Sequence, residues 1–99
     1  MEKQINNFLE FMKNDKKVSE NTLQSYRRDI MQYQDYVAKN DINYIKINTE
    51  EVSRYLDYMK SVGKKSSTIS RGLASIRAFY QYLLRSKKIK KDPTEGIQS

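Results

Sequence analysis

The stretch SSTISRGLASIRAFYQYLLR, residues 66–85, places Ile69, Leu73, Ile76, Phe79, Tyr80, Leu83 and Leu84 at three- and four-residue steps. That period predicts an α-helix with a broad apolar stripe, and Ser66 or Ser67 stands where its cap belongs. The opposite face holds Ser67, Arg71, Ala74, Ala78 and Arg85, flanked by Ser70, Ser75 and Arg77. Small residues between arginines let another body come close. Gly72, inside the helix, costs about 1 kcal/mol relative to alanine and invites local fraying.

A stripe this wide needs other helices to cover it, and the preceding sequence supplies them. Gly63 is placed to end a helix in the left-handed conformation. In that helix Val52, Tyr55, Leu56 and Met59 form the buried face. Asn48 or Thr49 starts it, with Glu50 and Glu51 set against the positive end of its dipole. Two acids at a helix start in a chain without histidine suit capping better than acid–base chemistry. Residues 39–48 lack helical period and read as a loop whose Ile42, Ile45 and Ile47 plug the core.

Upstream lies SENTLQSYRRDI, residues 19–30. Ser19 is a good N-cap, and Val18 can staple against Leu23. Leu23, Tyr26, Ile30, Tyr33 and Val37 then form a packing seam, with Asn21, Gln24, Arg28 and Gln32 about half a turn away and Ser25 beside them. A shorter helix precedes it, carrying Ile5, Phe8, Leu9 and Met12 on one face, and the polar run of residues 14–17 ends it. The fold expected is all-α, a compact bundle of four main helices without strands or internal repeats. After Arg85 the lysines and Pro93 end the last helix, so residues 1–88 are expected to form the domain and 89–99 the start of a linker.

With 99 residues, 31% charged and 37% hydrophobic, the chain has room for one compact domain with a modest core. No apolar run is long enough to span a bilayer and there is no signal-peptide pattern, so a soluble, cytoplasmic protein without membrane contact is expected. The absence of cysteine removes disulfides, thiolate metal sites and cysteine nucleophiles. No metal or other cofactor is expected. Charge is segregated: residues 64–99 hold nine Lys/Arg against two Asp/Glu, giving +7, whereas residues 1–63 hold ten of each. Such a one-sided excess attracts polyanions.

Both polar helix starts, at Ser19 and at Ser66 or Ser67, offer free backbone N–H groups and a positive dipole end to phosphates. Farther along, Asn, Gln and Arg are the side chains able to pair with base edges in a major groove. Either helix alone reads equally as ordinary capping with a solvated face. Both together, beside a confined basic surplus, point to nucleic acid.

SENTLQSYRRDI, followed some forty residues later by SSTISRGLASIRAFYQYLLRSKKIKKDPTEGI, closely resembles the N-terminal core-binding (SAM-like) domain of phage-integrase-type tyrosine recombinases, within them the Xer-like group. The resemblance covers essentially the whole chain. It implies a small helical bundle on one face of duplex DNA, with its second and fourth helices toward the major groove and a following catalytic domain of the same chain closing on the other face. It implies DNA contact from Asn21, Thr22, Gln24, Ser25 and Arg28, and from Ser67, Thr68, Arg71 and Ser75, with Lys64 and Lys65 reaching phosphates. Arg77 lies nearer the core flank and suits a structural part. Asp92-Pro93-Thr94 resembles the start of the interdomain linker, where the family more often has Asn before the proline. Other recombinase protomers in a synaptic complex are the further partners implied.

The family cuts DNA with a tyrosine assisted by arginines, a lysine and usually histidines, all in the catalytic domain. Here Tyr26, Tyr33, Tyr55 and Tyr80 occupy core-facing positions, and no activating constellation surrounds any tyrosine. The chain is therefore expected to be non-catalytic. Two other readings fit parts of the pattern: a helix-turn-helix regulator, from the short Gly-containing turn before residue 66, and a helical protein-interaction module with a basic end.

Overall fold

Helix boundaries follow from which groups can satisfy the orphaned amides and carbonyls of each end. The computed structural model describes residues 1–98 and contains α1 (Glu2–Asn14), α2 (Glu20–Lys39), α3 (Thr49–Ser61) and α4 (Ser66–Arg85). Ser19 caps α2, its Oγ accepting the Thr22 backbone N–H at 3.2 Å. Asn48 caps α3 in a reciprocal box: its Oδ1 accepts the Glu51 N–H at 2.9 Å, and Glu51 Oε1 accepts the Asn48 N–H at 3.3 Å. The cap of α4 is Lys65, not a serine, and its side chain makes no capping bond. The backbone turns helical one residue earlier than expected, which draws Ser66 and Ser67 into the first turn.

At the other ends, α2, α3 and α4 close alike. In α3 the Lys64 N–H bonds the Met59 carbonyl and the Gly63 N–H bonds the Lys60 carbonyl, both at 3.1 Å. Gly63 has the left-handed backbone this requires, with φ +87°. Asp41 and Lys87 hold the equivalent positions after α2 and α4 with φ 52° and 60°.

The core is built from one stripe of each helix: Ile5, Phe8 and Leu9 of α1, Ile30 and Tyr33 of α2, Val52 and Tyr55 of α3, and Ile76, Phe79, Tyr80 and Leu83 of α4. Leu84, expected in that stripe, is 38% exposed, because it lies at the stripe's edge. Ile47 alone of the three loop isoleucines is buried; Ile42 and Ile45 are half-buried against the core. Gly72 is buried beside Met59, and a Cβ there would meet Met59 Cε at 3.5 Å and Sδ at 3.7 Å, ordinary contact distances. Gly72→Ala is therefore expected to raise unfolding stability by about 0.5–1 kcal/mol through helix propensity. A lower urea midpoint for the variant would show that the site has no room.

Two tyrosines tie the loop to the bundle. The Tyr80 hydroxyl donates to the Tyr44 backbone carbonyl at 2.9 Å, and since a carbonyl only accepts, the Tyr33 hydroxyl must be the donor in its 2.7 Å bond to Tyr80. This one-way chain makes the two phenols unequal. Tyr33→Phe removes a single bond and should cost about 1 kcal/mol, whereas Tyr80→Phe strands a buried donor and a carbonyl and should cost about 2–3 kcal/mol. Chemical denaturation of both variants checks the order; equal losses would refute the chain.

The segment after α4 departs from expectation. Residues 89–97 pack onto the bundle instead of leaving it as a bare linker: Ile89, Pro93 and Thr94 are buried. Asp92 Oδ1 accepts the Thr94 N–H at 2.8 Å and the Thr94 hydroxyl at 2.7 Å. Arg77 of α4 donates to the backbone carbonyls of Thr94 and Ile97, the structural part expected for it. The lysine-rich composition of this segment conceals three well-spaced apolar anchors, at Ile89, Pro93 and Ile97.

Candidate nucleic-acid interface

On α2, residues 21, 25 and 29 follow one another at four-residue steps, and so share one row on the helix surface; on α4, residues 67, 71 and 75 do the same. The two helices, which make the most extensive helix–helix contact of the bundle, bring these rows together. They meet at Asp29. Arg71 Nε donates to Asp29 Oδ2 at 3.1 Å and Arg71 Nη2 donates to Oδ1 at 2.9 Å, a two-pronged ion pair, while the Ser75 hydroxyl donates to Oδ2 at 2.7 Å.

The environment of the three groups differs. Asp29 and Ser75 are 3% and 2% exposed, but the Arg71 side chain keeps 43% of its surface open to solvent. The hydrogen bonds and charge of Asp29 push the Arg71 guanidinium pKa above its ordinary value. Asp29 has no role in the sequence reading. A lone acid one turn beyond Ser25, at the margin of the Tyr26–Ile30–Tyr33 seam, was the available signal, but only the packing of α2 against α4 identifies its partners.

The expected contact residues divide as follows. Asn21, Thr22, Gln24 and Arg28 on α2 are exposed and Ser25 is half-buried; Lys64, Lys65, Ser67 and Arg71 are exposed and Thr68 is half-buried. Thr22 and Gln24 are engaged locally, Thr22 Oγ1 accepting from Ser19 at 2.9 Å and Gln24 donating to Glu20 at 3.0 Å. Arg28 makes no ion pair among the described residues. Ser75 is the correction: its hydroxyl is buried and committed to Asp29, so it cannot face an outside ligand, because the α4 row turns into the helix–helix contact at that point.

The start of α4 differs electrostatically from the others. The first turns of α1, α2 and α3 each carry glutamate, whereas that of α4 carries no acid, and its cap is a lysine preceded by Lys64. The positive dipole end there is reinforced rather than offset. No group of residues able to hold a metal ion occurs among the described residues, and no helix there is long and apolar enough to cross a membrane.

The buried tyrosines are the reverse of activated nucleophiles. Burial pushes the phenol pKa values of Tyr33, Tyr55 and Tyr80 well above their ordinary 10.0, opposite to what activation requires. Tyr26, expected in the core, is half-buried with its ring edge-on to Phe8.

Comparison with known proteins accords with this architecture. Residues 5–87 match the family model of the phage integrase N-terminal SAM-like domain. The chain is 44% identical over 95 residues to the tyrosine recombinase TTE1313 of Caldanaerobacter subterraneus subsp. tengcongensis, covering 96% of this chain and 33% of that protein. It is 35% identical over 96 residues to the tyrosine recombinase XerD of Staphylococcus epidermidis, and 36% identical over 100 residues to that of Staphylococcus aureus; the matches cover 96% and 100% of this chain, and 32% and 34% of those proteins. The chain thus spans about a third of the length of the curated relatives it matches. From residue 5 to residue 87 it belongs to the phage integrase N-terminal SAM-like domain family, the N-terminal domain of tyrosine recombinases.

Proposed function

We propose that the chain binds duplex DNA as the core-binding domain of a site-specific tyrosine recombinase, gripping one face of the recombination site through α2 and α4. A catalytic domain farther along the same polypeptide closes on the other face, and further protomers join in a synaptic complex. The observation that carries this reading is the meeting of the two polar rows at Asp29, Arg71 and Ser75, which puts the hydrophilic flanks of α2 and α4 side by side.

Within that reading the parts separate by chemistry. Lys64 and Lys65, with the acid-free start of α4 and the nearby Ser67 and Thr68, hold phosphate oxygens. Asn21, Gln24, Arg28 and Arg71 reach toward base edges, with Thr22 and Ser25 bordering them. Strand cleavage belongs to the remaining two thirds of the recombinase, since the buried tyrosines of this domain are protonated and packed. The family membership favours this over a helix-turn-helix regulator, and the interaction-module reading is what the experiment must exclude.

Duplex binding followed by fluorescence anisotropy while salt is raised tests the proposal. Log affinity should fall linearly with log salt, and Lys64→Ala or Lys65→Ala should each reduce the slope by about one. Arg28→Ala should weaken binding without moving the thermal midpoint, its side chain having no ion-pair partner among the described residues. No duplex binding at low salt, or binding indifferent to salt, would assign the basic end to an acidic protein instead.

A further inference from the structure

A planar guanidinium offers two double-donor edges, one formed by Nε and one terminal nitrogen, the other by the two terminal nitrogens. In Arg71 the first edge is consumed: Nε and Nη2 donate to the two oxygens of Asp29. The second edge, Nη1 with the remaining N–H of Nη2, has no partner among the described residues, on a side chain 43% open to solvent. That edge still presents two parallel N–H groups, which match the O6 and N7 acceptors of guanine in the major groove.

We propose that Asp29 is a positioning residue that sets base specificity, holding Arg71 so that its free edge reads guanine. The proposal rests on the reading that α2 and α4 face duplex DNA. Asp29 is suited to the task because it cannot itself move: it is buried, and Ser75 fastens the same Oδ2 that receives Arg71 Nε. A long arginine arm otherwise samples many rotamers, and fixing it before binding removes that entropy cost from the bound state. The pairing has a second consequence. Asp29 neutralises Arg71, so the pair adds little to the sequence-independent attraction of phosphates, and its contribution is confined to hydrogen-bond geometry. An acid at a DNA-binding face, unfavourable for affinity, is thereby a device for selectivity.

The test selects duplexes from a pool randomised over about one helical turn, using the wild-type chain, Asp29→Asn, Arg71→Lys and Ser75→Ala, with circular dichroism confirming that each is folded. The wild type should select guanine at one position with roughly 10- to 100-fold preference, and Arg71→Lys should lose it. Asp29→Asn should lose the same preference while binding the unselected pool as tightly as wild type or more tightly, with a steeper salt slope, because it frees a cation. A purely structural part for Asp29 predicts the opposite pattern, uniform loss of affinity with base preference intact, and that result would overturn the proposal. So would an Arg71→Lys variant that keeps the wild-type preference. Should Asp29→Asn fail to fold, Ser75→Ala carries the test, with at least a twofold fall in the preference expected and an unchanged preference overturning it. Failure of the wild type to bind any duplex would instead remove the DNA-binding reading itself, and this proposal with it.

Discussion

Arg71→Ala is expected to lower unfolding stability by about 2–3 kcal/mol, far more than an exposed arginine normally warrants. The reason lies in the partner left behind. Asp29 is 3% exposed, and without the guanidinium its carboxylate would keep only the Ser75 hydroxyl. Breaking one side of a fully buried ion pair costs about 3–5 kcal/mol, and the figure is reduced here because the Arg71 side is half open to water. Urea unfolding of a double-mutant cycle checks this: Asp29→Leu with Arg71→Leu should recover most of what either single change loses, since no charge is then stranded. Arg28→Ala, by contrast, should stay within about 0.5 kcal/mol of wild type. A wild-type midpoint for Arg71→Ala would mean that Asp29 does not depend on it. The family resemblance of the sequence implies DNA contact from both Arg28 and Arg71. The structure makes one of them a fold residue too, so its loss in a binding assay must be read together with its loss in a stability assay.

The second large effect concerns alkaline pH. Tyr33, Tyr55 and Tyr80 have folded pKa values raised above the ordinary 10.0, primarily by burial. A raised tyrosine pKa means that the folded state holds its proton more tightly than the unfolded chain. The resulting stability is fully present below pH 10 and is lost as pH climbs from there through the folded values. Each phenol contributes a slope of about 1.4 kcal/mol per pH unit, so the three together give about 4 kcal/mol per unit. Set against a typical domain stability of about 5–15 kcal/mol, that slope unfolds the protein within a few units. Helicity and phenolate absorbance followed together should show these tyrosines ionising in step with unfolding, and Tyr80→Phe should shallow the slope by about a third. Smooth ionisation of all eight tyrosines while helicity persists would contradict the buried network.

Much of the fold was legible because helix periodicity is a local property. The steps from Ile69 to Leu83 and from Leu23 to Val37 each predict their own buried stripe, and those stripes are the ones that pack. Local competition explains two of the misses, and a long-range contact the third. Ser66 and Ser67 are both good caps by type, but Lys65 takes the extended backbone conformation, and its side chain offers no acceptor. Leu84 is apolar but lies where the stripe runs out. Residues 89–97 look like solvated linker by composition, and whether such a segment docks depends on where Arg77 presents its donors, which no local pattern encodes.

The candidate interface divides the same way. By itself the sequence determined the four helices, their apolar faces, the basic surplus in the last third and the two polar faces that carry Asn21, Gln24 and Arg28 and Ser67 and Arg71, because composition and a 3.6-residue period act within one segment. Tertiary structure alone decided that Asp29 joins those faces, that Ser75 turns inward, and that Arg71 has one edge bound and one edge free. Those facts depend on contacts between residues more than forty positions apart, and a pairing across such a distance is settled by how two helices pack, not by anything either helix carries alone.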